Sequence, residues 1–384
     1  MTERDAILVL NAGSSSIKAA VFDGALAPLL RGAVTGIGGA AGQVSVPSGS
    51  QKAHLPDHAT ALRALLAGLG DDGLNLGALR GVGHRVVHGG ADLTRPHLIT
   101  RTVRDQIAAC IPLAPLHNPH HLAAIDAVTT LAPELPQCAS FDTGFHATNP
   151  EVALRYALPD RAETRGLRRY GFHGISYAAM VGDWEAHTAA PLPPRLLACH
   201  LGNGASLCAI RDGQSVGSTM GYSPLDGLTM GTRTGAIDGN AVLHLARVMG
   251  IDDAEHLLNH ESGLLGLSGL SADMRALEED GSDAAQFAID HFCYWAVRHA
   301  GSMIAAMGGL DAVAFTGGIG ENAPNVRARI MDGLGWLGLR AEEAANEAGR
   351  TQLHQDGSDI GAWIVPAQEE RRIATEALKV LGTA

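Results

Sequence analysis

The stretch ILVLNAGSSSIKAAVFDG at residues 7–24 recurs in outline as LLACHLGNGASLCAIRDG at residues 196–213. Gly13 has its counterpart in Gly202, and the pair Asp23-Gly24 has its counterpart in Asp212-Gly213, at one and the same offset. Each copy reads as an apolar strand, a tight turn rich in Gly, Ser or Asn, a second strand and an Asp-Gly turn, which is a hairpin signal. A tight turn of this kind aims several backbone N–H groups outward and can cradle phosphate oxygens. Two matched cradles predict a duplicated, two-lobed protein that handles a nucleotide.

Composition limits the partners. The chain has 384 residues, long for a single core, so two domains are expected. It is 46% apolar and 18% charged, as in an ordinary globular protein, and its net charge of −12 argues against a nucleic-acid surface. Anionic ligands must then be met by a few placed Arg or Lys residues or by metal ions. The 48 glycines gather in motifs rather than in a linker, which marks tight turns and close ligand approach. Five cysteines, without CxxC spacing, predict buried free thiols. The N-terminal charges run straight into a short strand, and no apolar run reaches a membrane span, so a cytoplasmic location without a membrane is expected.

Apolar patterning places strands at 6–10, 16–22, 82–87 and 137–142, with helices at 101–110 and 120–131. The second half repeats the order: hairpin strands at 196–201 and 206–210, helices at 241–248 and 284–306, and a strand at 312–315. A closing amphipathic helix at 368–381 could pack on the first lobe. The fold class is α/β, and hairpin-first duplication suits an actin-like architecture better than a Rossmann sheet, with an interlobe cleft as the natural ligand site. The expected domains are 1–147 with 371–384, and 148–370.

Several motifs carry chemistry. NAGSSSIK at 11–18 supplies Asn11 for a metal-bound water, serines for phosphate, and Lys18 as a point charge; the alternative is a plain hairpin turn with a surface lysine. It is not a P-loop, because GxxxxGK[ST] is missing. HLGNGAS at 200–206 and FTGGIGEN at 315–322 are Gly-rich loops, the second with a helix expected to start near Asn325. GHRVVHGG and MGTRTG each set one arginine, Arg85 and Arg233, among small or apolar residues. Such an arginine needs an anionic partner, either an internal carboxylate or a bound carboxylate or phosphoryl group. Asp142 ends a strand, where catalytic or metal-linked carboxylates sit in α/β proteins. His117 and His173 stand in turn-like settings, and HxxHH at 117–121 is too sparse for a metal site.

In this order the motifs closely resemble the acetate kinase family, a branch of the superfamily of acetate and sugar kinases, Hsc70 and actin. The resemblance runs through NAGSSSIK, GHRVVHGG, PLHNPHH, FDTGFH, RRYGFHG, HLGNGAS, PLDGLTMGTRTG, SGLLGLSGLSADMR, FTGGIGEN and PAQEE, nearly the whole chain. It implies a duplicated ribonuclease H-like (actin-like ATPase) fold and a homodimer. The implied reaction is the reversible, Mg²⁺-dependent transfer of the ATP γ-phosphoryl group to acetate, giving acetyl phosphate and ADP (Mn²⁺ being a substitute metal). Arg85 would hold the acetate carboxylate, and Val87, Leu116, Phe172 and Pro224 would wall its methyl group. His173 and Arg233 would stabilise the transferring phosphoryl group, with His117 nearby and Asp142 of catalytic importance. Asn11 and Glu369 resemble the metal contacts, Glu370 being the alternative to Glu369, and Lys18 a phosphate contact. The nucleotide would lie on His200, Leu201, Gly202, Asn203 and Gly204, on Asp273, Met274 and Arg275, and on Gly318, Ile319, Gly320, Glu321 and Asn322. Departures from the family pattern fall at Gly217, Ala236, Gly144 (FDTG) and Tyr177, none of them a clamp or metal residue.

A short carboxylic acid ionises near ~4–5, by analogy with Asp and Glu side chains. The acceptor is therefore already an anion at neutral pH and needs no general base. What the reaction needs is relief of the repulsion between two anions. On that ground Asp142 is expected to orient an arginine or a metal-bound water rather than to move a proton. The same chemistry on propionate or butyrate is the nearest alternative. A non-catalytic actin-like filament protein is the alternative from another class, and it has no use for the arginine pair.

Overall fold

The computed structural model describes residues 5–382. Its strands are β1 (Ile7–Ala12), β2 (Ser16–Phe22), β3 (Pro28–Thr35), β4 (Gly42–Val46), β5 (Gly49–Ala53), β6 (Gly81–Val86), β7 (His97–Leu98) and β8 (Gln137–Phe141), then β9 (Arg195–Leu201), β10 (Ala205–Arg211), β11 (Gln214–Ser218), β12 (Ala312–Thr316) and β13 (Gly361–Ile364). The first helices are α1 (His58–Asp71), α2 (Arg101–Ala109) and α3 (Asn118–Leu131). They are followed by α4 (Glu151–Leu154), α5 (Gly174–Thr188), α6 (Gly239–Met249), α7 (Ile251–His260), α8 (Gly263–Ser268), α9 (Met274–Asp280) and α10 (Asp283–Met307). Then come α11 (Gly317–Asn322), α12 (Pro324–Gly333), α13 (Glu343–Glu347) and α14 (Glu369–Gly382).

Two compact units result. The chain passes from the first to the second between Phe145 and His146 and returns between Ala367 and Gln368, slightly earlier at both points than the sequence suggested. In the first unit the sheet runs β5-β4-β3-β2-β1-β6-β8-β7, antiparallel through β1, β2 and β3 and parallel from β1 through β6 to β8. In the second it runs β11-β10-β9-β12-β13, antiparallel over the first three and parallel over the last three. Removing β4, β5 and β7 leaves the same order and the same directions. This is the duplicated ribonuclease H-like fold.

The two hairpins close differently. In the second copy Asp212 and Gly213 both have positive φ, 50° and 76°, as a two-residue turn with the twist of its strands requires. In the first, Gly24 does not. Asp23 Oδ1 instead accepts from the N–H groups of Ala25 and Ala27 at 2.9 and 2.8 Å, and Leu26 takes the left-handed conformation. The matched Asp-Gly pairs are therefore a longer Asp-held loop and a tight turn.

In the first unit, α1 and α3 cover one sheet face through Leu8, Leu10, Ile17, Val21, Leu62, Leu65, Ala124 and Val128. Helix α14 lies on the other face, against β1, β6 and β8. It approaches so closely that a Cβ at Gly81 would stand 2.4 Å from Leu381, and one at Gly83 2.7 Å from Ile373. β1 is thus buried on both faces, which explains its unbroken apolar run. In the second unit α10 is capped by Ser282 and ended by left-handed Gly308. Its Ala288, Phe292, Ala296 and Ala300 recur at helical spacing on the buried side.

Several stretches differ from the sequence expectation, which did not place α1, α5, β11 or β13. β3, β4 and β5 extend the first sheet, and FTGGIGEN is no open loop, because residues 317–322 are helical and a second helix starts at Pro324. All five cysteines are free and buried.

Candidate active site

In the first unit the candidate residues meet at the C-terminal ends of the parallel strands. Asn11 and Lys18 face each other across the β1–β2 hairpin. Arg85 is near the end of β6, and Asp142 follows β8, its N–H donating to the Val86 carbonyl at 3.0 Å. The Arg85 guanidinium donates from Nε to both carboxylate oxygens of Asp142 at 3.2 and 3.1 Å and from Nη2 to Oδ2 at 2.7 Å. Nη1 donates to Asn11 Oδ1 at 3.2 Å. Of the five N–H groups of an arginine, these bonds take Nε–H and one on each Nη. One N–H on each Nη remains for a further acceptor.

Burial alone would lower the Arg85 pKa, but Asp142 and Glu369 outweigh it and hold the group above its ordinary value, so it is charged at any working pH. Glu369 opens α14 and acts on Arg85, whereas Glu370 is 3.5 Å from Arg31. This places Glu369 beside Arg85 and turns Glu370 toward β3. Val87 is buried, Leu116 is exposed, and His117 stands at the start of α3. His121, one turn on, is buried among Arg85, His117, His120 and His84; burial first, then those charges, push its pKa well down.

In the second unit the candidates form another cluster. His173 precedes α5 in the left-handed conformation, φ 56°. Its Nδ1 lies 2.8 Å from Ser206 Oγ, which is 2.6 Å from the Tyr177 hydroxyl, and its ring stacks on His200 at 4.0 Å. His200 Nδ1 is in turn 2.9 Å from Ser176 Oγ. A Cβ at Gly204 would stand 3.3 Å from His173 Nε2 and 3.6 Å from Arg233 Nη2, so both nitrogens converge on this bare point of the HLGNGAS loop. Arg233 Nη1 donates to the Pro224 carbonyl at 2.8 Å, and Phe172 is buried.

The Gly-rich segments interlock. A Cβ at Gly231 would collide with Asn203 Oδ1, and Gly231 N–H donates to the Asn203 carbonyl. Gly202 lies beside the Gly318 N–H, while a Cβ at Gly318 would meet nothing within 4 Å, so open space adjoins that backbone. Leu201, Met274 and Gly320 are buried. Glu321 is turned inward: its Oε1 accepts from Gly317 N–H at 3.0 Å and Ala367 N–H at 2.9 Å, tying two loops together. Asp273 caps α9 through Ala276 N–H, leaving Arg275 in the first turn, and Asn322 donates to the Gly318 carbonyl. Ile319 lies within α11 between those glycines.

A model of the acetokinase family matches residues 6–375. The chain belongs to the acetokinase family. It is 40% identical over 395 residues to acetate kinase from Methylocella silvestris, covering 98% of each sequence. Among solved structures, acetate kinase from Porphyromonas gingivalis is similar with a TM-score of 0.90 at 34% identity, covering 98% of this chain and 100% of that one. A propionate kinase from Francisella tularensis has a TM-score of 0.90 at 35% identity, covering 97% and 98%.

Sequence reasoning singled out the acetokinase motif residues but not the groups that hold them. Ser206 and His146 sat inside quoted motifs without a role, and Tyr177 counted only as a departure. Ser206 and Tyr177 are 29 residues apart, and no local periodicity reports that pairing. The one available signal was their presence in Gly-rich motif segments.

Proposed function

We propose that the chain catalyses reversible phosphoryl transfer from ATP to acetate, giving acetyl phosphate and ADP. The observation that supports this most directly is the posture of Arg85. Asp142 and Asn11 hold three of its N–H groups and leave one N–H on each Nη, which we propose a small carboxylate takes. Val87, Leu116, Phe172 and Pro224 are the proposed apolar wall, and His117 a neighbour of the transferred group.

The acceptor is an anion and the donor phosphate is an anion, so catalysis consists of holding positive charge and N–H donors against the equatorial oxygens. His173 Nε2 and Arg233 Nη2, both directed at Gly204, are proposed to do this. Lys18, His200 to Gly204, Asp273 to Arg275 and Gly318 to Asn322 are proposed to carry the nucleotide. Buried Leu201, Met274 and Gly320 contribute backbone, and Glu321 shapes the loop.

Asn11, Glu369 and Asp142 offer only oxygen donors, which suits Mg²⁺ with several of its waters retained. We propose that Asn11 and Glu369 hold this ion through water; bound there, it would neutralise phosphate charge. Mn²⁺ has the same donor preference. Among the described residues no group of three His, Cys, Asp or Glu side chains is placed to bind a metal outright.

A homodimer is proposed on the family resemblance. Helices α6 and α7 expose Leu243, Val248 and Ile251, an apolar face that a second copy would cover. A cytoplasmic location is proposed as well; among the described residues no helix is long and apolar enough to cross a membrane.

The relation to a propionate kinase favours one second reading, a longer acid as substrate. A hydroxamate assay with ATP and Mg²⁺ tests the proposal. Acetate should yield acyl phosphate, and a silent assay with acetate but a strong one with propionate or butyrate would replace it.

A further inference from the structure

His146 ends the FDTGFH motif, and no role has been given to it above. It is 1% exposed, with Nε2 2.8 Å from the Phe172 carbonyl and Nδ1 2.9 Å from Ser215 Oγ. A carbonyl only accepts, so Nε2 carries the ring proton. Nδ1 is then the acceptor and the Ser215 hydroxyl donates to it. Cys208 Sγ lies 3.3 Å from the same hydroxyl and can supply its proton there, which leaves the chain Cys208, Ser215, His146, Phe172 with a donor for every acceptor. Burial pushes the His146 pKa down to about 4, so the ring is neutral and this proton order is fixed at neutral pH.

What the chain grips is an unusual stretch of backbone. Gly171 has φ 73°, and a Cβ there would stand 2.6 Å from the His146 ring, so the imidazole packs on bare main chain. His173 has φ 56°, a conformation that strains a residue with a Cβ and persists where its surroundings over-determine it. Phe172, whose carbonyl His146 holds, lies between these two left-handed residues.

We propose that His146 is a positioning residue for His173: by holding the Phe172 carbonyl and packing on Gly171, it fixes the backbone that aims His173 Nε2 at Gly204 beside Arg233. This rests on the assignment of His173 to the phosphoryl group. Ser206 and Tyr177 hold the ring of His173, while His146 holds its main chain.

The test uses the full chain with His146→Ala, His146→Gln, His173→Ala and the double variants. Glutamine keeps an N–H donor near the position of Nε2. Misplacing a reacting group by an ångström costs about 100-fold, so His146→Ala should lower kcat by about 10- to 100-fold with the KM for ATP little changed. His146→Gln should regain most of that loss. In the His173→Ala background, His146→Ala should add little, because it acts through the residue already removed. Losses that multiply in the double variant, or a His146→Gln that folds and is as slow as alanine, would overturn the proposal. Full activity of His173→Ala alone would instead overturn the role given to His173. Should His146→Ala fail to fold, the cycle between His146→Gln and His173→Ala decides, since any residual defect of the glutamine variant must vanish once His173 is gone.

Discussion

Both carboxylate oxygens of Asp142 are engaged by the guanidinium of Arg85, with Nη2 at 2.7 Å and Nε within 3.2 Å of each. The sequence left open whether Arg85 pairs with an internal acid or with a bound anion. The structure shows the internal acid, and the proposed acetate contact would add the anion. An acid takes one edge of the fork, and that fixes where the other edge points.

Replacing Arg85 by alanine would remove the proposed contact to acetate and leave Asp142 buried beside Asn11 without this cation. A charge-assisted bond contributes about 1.5–3 kcal/mol. The KM for acetate should therefore rise by about 10- to 100-fold while the KM for ATP stays near that of the unaltered protein. Steady-state kinetics with each substrate varied in turn checks this. An unchanged acetate KM would remove Arg85 from the acceptor site.

Arg233→Ala should act on kcat instead. If it stands against the phosphoryl group as proposed, its charge counts most midway between donor and acceptor, and losing one such donor costs about 100- to 1000-fold in turnover. The KM values should move far less. A rise in KM that accounts for the whole loss in kcat/KM would show that Arg233 binds the ground state.

Acidity should weaken the fold. His84, 1% exposed and bonded to Gln137 at 2.7 Å, and His146 are each lowered from 6.5 to about 4 by burial. With the folded pKa below the unfolded one, the unfolded chain binds more protons between about pH 4 and 6.5. Their contribution is therefore complete above 6.5 and falls as pH drops through that window. From about pH 7.5 to 5 the loss is on the order of 2 kcal/mol per histidine. Urea midpoints across this range should fall accordingly, and His84→Gln should flatten the trend; an equally steep trend in that variant would exonerate His84.

Chain length of the acid should matter only modestly. One methylene in an apolar pocket separates substrates by about 10- to 200-fold. A series of kcat/KM values over acetate, propionate and butyrate should decline stepwise from acetate, and Val87→Ala should narrow the gap. A maximum at propionate would reassign the acid.

Much of this fold is legible in the sequence because its hairpins are local. β2 spans 16–22 as the hairpin reading predicts, and the closing helix matches its amphipathic repeat. β3 to β5 are missed because they are largely solvent-facing and carry weak apolar alternation. FTGGIGEN misleads because Thr316, Gly317 and Gly318 read as a loop, yet backbone capping by Glu321 Oε1 lets the helix begin at Gly317. The motif residues of the site stand out by type, as Arg85 does among apolar neighbours. Their holders do not: Arg85 and Asp142 are 57 residues apart, and His146 and Ser215 are 69 apart. The first pair follows from sheet topology, which brings β6 beside β8; neither pair lies within a single window of sequence.

The most direct test of the account is the pH dependence of turnover for the unaltered protein and for Asp142→Asn. If Asp142 serves only to hold Arg85, the amide loses the two-oxygen grip and turnover drops severalfold or more at every pH, with both limbs of the profile unmoved. An acidic limb that shifts or disappears in the variant would mean that Asp142 takes up a proton in the reaction, and the charge-holding account would be wrong.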